Sequence, residues 1–191
     1  MVKNSKNKNI IHDTVEIYNK ILNDPITKKY VKDLSKILKN YKLKKRKVII
    51  AGNGGSASIA SHVSVDMTKV VGIKCLNFNE PNLITCFTND FGQDLWLKKS
   101  LEFYSDRDDL VILISSSGRS KNIINAAKFC IKQGNKIVVM TGFNKNNPLN
   151  KLVKDPIWIN SKAYNIIENF HQIILLMSCD VVLGSIYYNS N

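Results

Sequence analysis

The sequence predicts an α/β fold: a three-layer, doubly wound, five-stranded parallel sheet with helices on both faces, preceded by an N-terminal helical pair. Two observations predict it. Short apolar runs alternate with longer segments in which apolar residues recur at helical spacing. The apolar runs are continuous, which is typical of strands buried on both faces of a parallel sheet. With 191 residues, one structural domain is expected, comprising a helical segment at 1–47 and the sheet-containing part at 48–191.

Two helices are predicted before the first strand. Apolar residues recur at helical spacing from Ile10 onward and again from Ile26 to Leu38, with a break at Asp24-Pro25 between them. Residues 1–9 are polar and rich in lysine, and we expect them to be disordered. His12 is expected at the surface, and neither helix carries a catalytic signature.

The remaining elements alternate between strand and helix. Each predicted strand is a short apolar run, and two of the strands lead into turns rich in glycine or serine. Gly134 is expected to end the helix that follows the second of these turns. The predicted strands lie at 48–52, 75–78, 110–114, 136–142 and 156–160; the predicted helices lie at about 56–70, at 82–90 with a loop at its end, and at 91–104, 121–134 and about 165–187.

The net charge of +13 is concentrated near the N-terminus. Residues 1–47 hold 14 of the 28 basic residues and four of the 15 acidic ones. Only three basic residues are arginine, whose planar fork suits phosphates and bases, so nucleic acid is not expected as a partner. We interpret the stretch YKLKKRK at 41–47 as a solvated linker into the first strand, with a weak polyanion patch as the alternative.

Membrane and redox roles are not indicated by the composition. No uninterrupted apolar stretch reaches the ~18 residues of a membrane span, and the polar N-terminus lacks the apolar segment of a secretory signal. A cytoplasmic protein is therefore expected. The cysteines form no CxxC pair, which favours small core residues in a reducing compartment; they are Cys75, Cys86, Cys130 and Cys179.

Two loops are candidate ligand sites because each follows a strand and opens a helix. They are Gly52-Asn53-Gly54-Gly55-Ser56 and Ser115-Ser116-Ser117-Gly118-Arg119-Ser120. Ligands of doubly wound sheets bind beyond the carboxyl ends of the strands, where helix N-termini favour anions and glycine allows a close backbone approach. Neither GxxxxGK[ST] nor GxGxxG is present, which disfavours a nucleotide. Together the loops favour a small phosphorylated ligand.

Two histidine–carboxylate pairs are candidates for acid–base chemistry. His62 and Asp66 are four residues apart, and Glu168 and His171 are three apart, so each pair shares one face of a predicted helix. The terminal helix is apolar, and burying Glu168 and His171 there is costly unless they are paired or functional. Solvated or structural pairs remain alternatives at this point. Asn89-Asp90, in a third loop, is by itself a turn.

Three segments resemble a known family. AGNGGSASIASH, TNDFG and ISSSGRSKNIINAAKFCIKQGNKIVVMTG are similar to the sugar isomerase (SIS) domain family, and within it to the phosphoheptose isomerases. The resemblance implies a flavodoxin-like SIS fold and a phosphorylated sugar as the ligand. It implies sugar contacts from the first loop and the NDFG segment, and phosphate contacts from the serines; the residues are Asn53, Gly54, Gly55, Ser56, Asn89, Asp90, Ser115, Ser116, Ser117 and Ser120.

The resemblance also implies catalytic and metal positions, and this chain departs from the family there. The family's base, acid and zinc positions match His62, Asp66, Glu168 and Leu176, where the family has histidine, glutamate, glutamine and histidine. Asp66 is one methylene shorter, and Leu176 cannot act as an acid or a ligand. Asp66 and Glu168 remain catalytic candidates, with His171 as an acid beside Glu168. Zinc is a candidate cofactor, held by His62, Asp66 and Glu168.

The function that the resemblance implies is interconversion of sedoheptulose 7-phosphate and a mannoheptose 7-phosphate through an enediol. This reaction would supply heptose for a surface polysaccharide. One alternative is a non-catalytic SIS protein that binds a phosphosugar or a protein partner, as one replication-initiator-binding member of the family does. Another is an isomerase of a different sugar phosphate. A homo-oligomer, expected to be a tetramer, is implied because the family builds its sites between subunits.

Overall fold

The computed structural model describes residues 9–187 and begins with two helices, α1 (Ile10–Asn23) and α2 (Pro25–Leu43). Asp24 ends α1 and also caps α2, since its side chain accepts a hydrogen bond from the Ile26 backbone N–H at 2.8 Å. Pro25 occupies the first turn of α2, where no N–H is needed. The predicted break is therefore confirmed. The predicted disorder at 1–9 falls outside the described residues, except at Asn9, which caps α1.

Five parallel strands form one sheet in the order β2-β1-β3-β4-β5, which confirms the predicted fold class. The register between β1 and β3 runs from Val48 opposite Leu110 to Gly52 opposite Ile114. This is a doubly wound order, in which the connections change direction between β1 and β3. The strands are β1 (Val48–Gly52), β2 (Cys75–Leu76), β3 (Leu110–Ile114), β4 (Lys136–Thr141) and β5 (Ile157–Trp158).

Helices cover both faces of the sheet. Alternate residues of β1 point to opposite sides, so Val48 and Ile50 pack with α2 and with two further helices, while Ile49 and Ala51 pack on the other side. The two β1 residues facing α2 are both fully buried. The remaining helices are α3 (Gly55–Lys69) and α7 (Tyr164–Leu183) on the α2 side, and α4 (Pro81–Phe91), α5 (Trp96–Tyr104) and α6 (Lys121–Gln133) on the other.

Several predicted boundaries are corrected. The helix predicted at 91–104 begins only at Trp96, because Phe91 ends α4 and Gly92, with φ 82°, breaks the chain between them. The terminal helix ends at Leu183 rather than near Tyr187, since left-handed Gly184 (φ 86°) terminates it. The predicted strand at 75–78 is only two residues long. Gly134, with φ 90°, ends α6 as expected.

Three cysteines are buried as predicted, but Cys86 is exposed on α4, so a core role for it is wrong. Burial raises the pKa of the Cys75, Cys130 and Cys179 thiols to about 12. These three thiols are therefore protonated at neutral pH and act as small apolar core groups.

The basic stretch before β1 is partly neutralised by the loop before β3. The Lys47 ammonium contacts the carboxylates of Asp106 at 2.5 Å and Asp109 at 2.6 Å. Arg46 contacts Asp108 at 3.0 Å. Residues 41–43 form the end of α2, so the predicted linker is limited to residues 44–47, and the polyanion patch stays a prediction.

Among the described residues, α7 is the one helix long and apolar enough to cross a membrane by length and composition. In the fold it is a core helix. Ile167, Phe170 and Ile174 are fully buried in the cluster that also contains α2, α3 and one face of the sheet. Tyr18 of α1 stacks on Phe170 at 5.2 Å between ring centroids, which attaches α1 to this layer.

Candidate functional site

The two predicted ligand loops line a single cavity of about 280 Å³. It lies at the carboxyl ends of β1 and β3, where the direction of the sheet connections changes and where ligands of such sheets bind. All eight predicted ligand residues in the loops line it, together with Ile114, Tyr164 and Glu168; the eight are Asn53, Gly54, Gly55, Ser56, Ser115, Ser116, Ser117 and Ser120. The structure thus brings the two loops and one carboxyl side chain of α7 together.

The first loop passes directly from β1 into α3. A Cβ on Gly52 would lie 2.6 Å from Ser56 Cβ and 2.8 Å from the Ser56 carbonyl oxygen, so only glycine permits this tight connection. Gly54 has φ 54° and occupies the N-cap position. No side chain of the described residues caps α3, which leaves backbone N–H groups of its first turn for an anion or a sugar oxygen.

The second loop presents hydroxyl groups at the start of α6. Gly118, with φ 63°, turns the chain, and its N–H donates to the Ser115 carbonyl oxygen at 2.8 Å. The Ser115 hydroxyl donates to the Ser120 hydroxyl at 3.1 Å. No described side chain caps α6 either. Hydroxyl donors and a free helix N-terminus are the groups that bind a phosphate.

A buried polar network beneath the second loop was not predicted. Asn147 is 1 % exposed and lies directly under Gly118, where a Cβ would collide with its side-chain oxygen. The Asn147 side-chain oxygen accepts from the Asn150 backbone N–H at 2.9 Å, and Thr141 donates to the Asn150 side chain at 2.7 Å. These bonds fix the shape of the loop after β4, and the Leu149 N–H, which donates to the Gly118 carbonyl oxygen at 3.1 Å, ties that loop to the serine loop.

Asn122 was also missed by the sequence reasoning. Its side-chain amide pairs reciprocally with that of Asn53, with both N–H···O distances 2.9 Å, and Asn122 is only 5 % exposed. The pair joins the end of β1 to the first turn of α6. It therefore fixes the orientation of the Asn53 amide in the cavity and holds the two ligand loops in register. The sequence signal that could have identified Asn122 is its place in the first helical turn after a ligand loop.

Glu168 is the one predicted catalytic residue that lines the cavity. Its carboxylate lies against Gly55, and a Cβ at that position would collide with it. Ser116 donates to one Glu168 oxygen at 3.4 Å. The carboxylate therefore sits between the start of α3 and the serine loop, with no cationic partner within 4 Å among the described residues. This position suits a group that exchanges protons with a bound ligand.

His171 lies one turn away but faces the protein interior. It is fully buried, and its Nε2 lies 3.1 Å from the Thr141 carbonyl oxygen. A carbonyl oxygen only accepts, so Nε2 carries the proton in the neutral ring, and buried Nδ1 has no partner within the described residues. Burial lowers the pKa of His171 to about 4. The predicted acid role of His171 stays a prediction without a contact to the cavity.

We expect His171→Gln to flatten the pH dependence of stability on the acid side. The native pKa of His171, about 4, lies below the unfolded value of 6.5, so the unfolded chain binds more protons between these values. The contribution of neutral His171 to the free energy of unfolding is fully present above pH 6.5. It is lost as the pH falls through 4, by about 3 kcal/mol in total. Urea unfolding from pH 7.5 to 4 measures this. His12→Gln, on exposed α1, is the control; a variant curve parallel to wild type would contradict the assignment.

His62 and Asp66 lie together on α3, beside α7, and neither lines the cavity that contains Glu168. His62 Nε2 is 3.6 Å from Asp66, and His62 Nδ1 is 3.1 Å from the Gln172 amide nitrogen. Gln172 was not a predicted site residue, although it lies one helical turn beyond Glu168. Asp180, still further along α7, lies close to Asp66; burial, with a smaller effect from Asp66, raises the pKa of Asp180.

The predicted zinc ligands do not form one group in this chain. Both nitrogens of the His62 ring already face side chains, and Glu168 points to Gly55 and Ser116. No set of three metal-ligating side chains occurs within residues 9–187, and Leu176 packs its apolar side chain against the core. The residues present therefore do not fit a tetrahedral zinc site within one chain, and we derive no chemistry from a metal.

Asn89 and Asp90 lie in the last turn of α4, not in a loop as predicted. Both are exposed, and the Asn89 side chain donates to Asp90 at 3.0 Å. Neither residue lines the cavity formed by the two ligand loops. Their predicted contact with sugar hydroxyls stays a prediction.

The fold and the cavity define a doubly wound α/β protein with a loop-lined cavity at the strand ends and a carboxylate beside it. The sequence profile of the SIS domain matches residues 16–142, and the chain belongs to the SIS domain family. The GNGGS and SSSGRS loops that line the cavity lie within the matched range.

The chain is similar in sequence to phosphoheptose isomerases. The chain is 30% identical over 153 residues to a phosphoheptose isomerase of Sulfurimonas denitrificans, covering 74% of this chain and 75% of the relative. It is 28% identical over 165 residues to a phosphoheptose isomerase of Fusobacterium nucleatum, covering 84% of each. The structure of a phosphoheptose isomerase from Francisella tularensis superposes with a TM-score of 0.82 at 20% identity, covering 92% of this chain and 95% of that one, which shows a common fold.

Proposed function

We propose that this protein is a phosphosugar isomerase of the heptose type, which interconverts sedoheptulose 7-phosphate and a mannoheptose 7-phosphate. One observation carries the proposal. The cavity places the Glu168 carboxylate beside two helix N-termini and a loop of serine hydroxyls. These groups supply phosphate binding and one proton-transfer group in a single space. The names of the relatives and membership in the SIS family support the substrate class.

The proposed reaction moves a proton between C1 and C2 through an enediol. The phosphate is held by Ser115, Ser117, Ser120 and the start of α6, and the reacting end of the sugar lies near the first loop. Glu168 takes the proton from one carbon and returns it to the other, while a proton moves between the two oxygens. The Asn53 amide and the N–H groups at the start of α3 stabilise negative charge on the enediol oxygen. No net oxidation occurs.

The direct test is turnover of sedoheptulose 7-phosphate by the full chain, followed by NMR of the sugar protons in deuterated buffer. An aldose 7-phosphate with deuterium at C2 is the expected product. If the wild-type protein forms no product and Glu168→Gln gives the same spectrum, the isomerase proposal is wrong.

A second candidate is a non-catalytic SIS protein that binds a phosphosugar or a protein partner. Leu176 favours it, because an apolar side chain that packs against the core stands at a position where the family has histidine, and it cannot act as an acid or a ligand. Binding of sedoheptulose 7-phosphate by calorimetry without any turnover would support this candidate. A panel of other ketose phosphates separates it from an isomerase of a different sugar, since that enzyme would convert one member.

We propose that the chain forms a homo-oligomer, with a tetramer expected, in the cytoplasm. Tyr18 and Ile21 of helix α1 pack against the core, but no α1 residue is fully buried and its other apolar side chains are exposed: Ile10 is 74% exposed and Ile11 79%. Met177 and Val181 of α7 and Val65 of α3 are also exposed, on the helices that carry His62 and Gln172. Static light scattering measures the assembly, and a monomer at micromolar concentration would contradict the proposal.

A further inference from the structure

A second cleft adjoins the outer side of the serine loop, and we infer that it is an anion subsite for a second phosphoryl group. In this arrangement the serine loop holds one phosphate, as the proposed function requires. The cleft receives the phosphate joined to it through a P–O–P bridge. The ligand class is therefore a diphosphate, either as a sugar ester or as free pyrophosphate.

The cleft lies next to the cavity formed by the two ligand loops, here called the sugar cavity. It has a volume of about 680 Å³ and is lined by Ser117, Arg119, Phe143, Asn144, Lys145 and Lys162. Ser117 also lines the sugar cavity. Phe143 packs on Tyr164, with ring centroids 4.8 Å apart, and Tyr164 lines the sugar cavity. A phosphate bound at Ser117 would thus have the sugar on one side and this cleft on the other.

The charge of the cleft is entirely positive. Three of its six lining residues are cations, and none is acidic. In the described part of the chain, none of the three has an acidic side chain within 4 Å; the Lys145 ammonium faces the Trp158 ring at 5.6 Å, which leaves Arg119 and Lys162 as the two donors for the cleft. The start of α6, next to Arg119, adds a partial positive charge. An arginine fork and lysine ammonium groups are the donors that phosphate oxygens prefer.

Backbone hydrogen bonds hold the walls of the cleft in place. The Phe143 N–H donates to the Ser161 carbonyl at 2.9 Å, and the Leu149 N–H donates to the Gly118 carbonyl at 3.1 Å. These bonds tie the loop after β4 to the loop before α7 and to the serine loop. Phe143 has φ 49°, a left-handed conformation that costs energy for a non-glycine residue and aims its ring at Tyr164. The subsite therefore has a fixed frame with long cationic side chains at its rim.

The test is calorimetric titration of the full chain with inorganic phosphate and with pyrophosphate. The test variant is Arg119→Gln/Lys162→Gln. The matched control, Lys128→Gln/Lys132→Gln, removes the same charge from the side of α6 that lines a different cavity. We expect pyrophosphate to bind about tenfold more tightly than phosphate to wild type and control, a ratio equal to ~1.4 kcal/mol. In the test variant the ratio should fall to about twofold, because two charge-assisted contacts are lost.

Equal affinities for the two anions in wild type, or the same ratio in test and control variants, would overturn the subsite. Methyl diphosphate distinguishes the sources: an ester bound as tightly as pyrophosphate identifies a diphosphate ester, and a much weaker ester identifies free pyrophosphate. Both results support the subsite. The titrations measure binding alone and do not depend on turnover. If the protein shows the expected affinity ratios for pyrophosphate and phosphate but no turnover, the isomerase proposal is wrong and the subsite is still supported.

Discussion

Replacing Glu168 with glutamine is expected to lower kcat for sedoheptulose 7-phosphate by about 10²-fold or more, the usual contribution of a positioned general base. Glu168 supplies the one carboxylate among the described residues that line the cavity, and its oxygens lie between Gly55 and Ser116. The amide keeps the size and can accept from Ser116, but it cannot take a proton from carbon. KM should stay within about threefold, because the phosphate contacts come from another loop.

Steady-state kinetics with wild type, Glu168→Gln and Glu16→Gln measures the effect. Glu16→Gln makes the same chemical change on the exposed surface of α1 and should leave kcat unchanged. A Glu168→Gln enzyme with wild-type kcat would show that another group removes the proton. A rise in KM alone would assign Glu168 to substrate binding rather than to proton transfer.

Gly118→Ala is expected to destabilise the fold by about 3 kcal/mol and to abolish phosphate binding at the serine loop. The left-handed conformation costs an L-residue about 1–2 kcal/mol, and overpacking costs about 1–3 kcal/mol more. The overpacking arises because the new methyl group would collide with Asn147, which is buried and hydrogen-bonded on both sides. Relief of the collision would move Ser117 and Ser120 away from the anion position.

Gly72→Ala is the matched control, since Gly72 also has positive φ (76°) but open space around its Cβ position. Gly72→Ala should lower the free energy of unfolding only by the conformational cost, about 1–2 kcal/mol, and should leave phosphate binding unchanged. Urea unfolding gives the stabilities, and calorimetric titration with inorganic phosphate gives the binding. Equal costs for the two substitutions would mean that Asn147 does not support the loop.

The ligand loops could be predicted because their signals are local. Each loop follows an apolar strand and carries the glycine or serine residues that a helix start at a ligand site requires. Parallel strands end at one edge, so placing two such loops in one cavity followed from the fold class alone. The elements themselves were predicted with errors mainly at their ends, as at Phe91 and Gly184, where a single glycine decides between helix and turn.

The α7 side chains could not be placed from the sequence. Helical spacing grouped Glu168 with His171 as a pair, yet the structure points Glu168 into the cavity and buries His171 against Thr141. Helix α7 also contacts His62 through Gln172, a residue that was not predicted. The spacing of residues predicts which of them share a face of a helix, but it does not predict which other element or cavity that face contacts.

The pattern of residues along this chain was enough to predict the doubly wound sheet and the two loops that line one cavity, because periodicity and turn chemistry act within a few residues. The rotation of α7 about its axis was decided only by tertiary packing. Burial of Ile167, Phe170 and Ile174 against α2 and the sheet sets that rotation. The same packing brings Glu168 to Gly55 across more than 100 residues of sequence, and it pairs Asn53 with Asn122. Contacts at that separation depend on how whole elements pack, which no local pattern encodes.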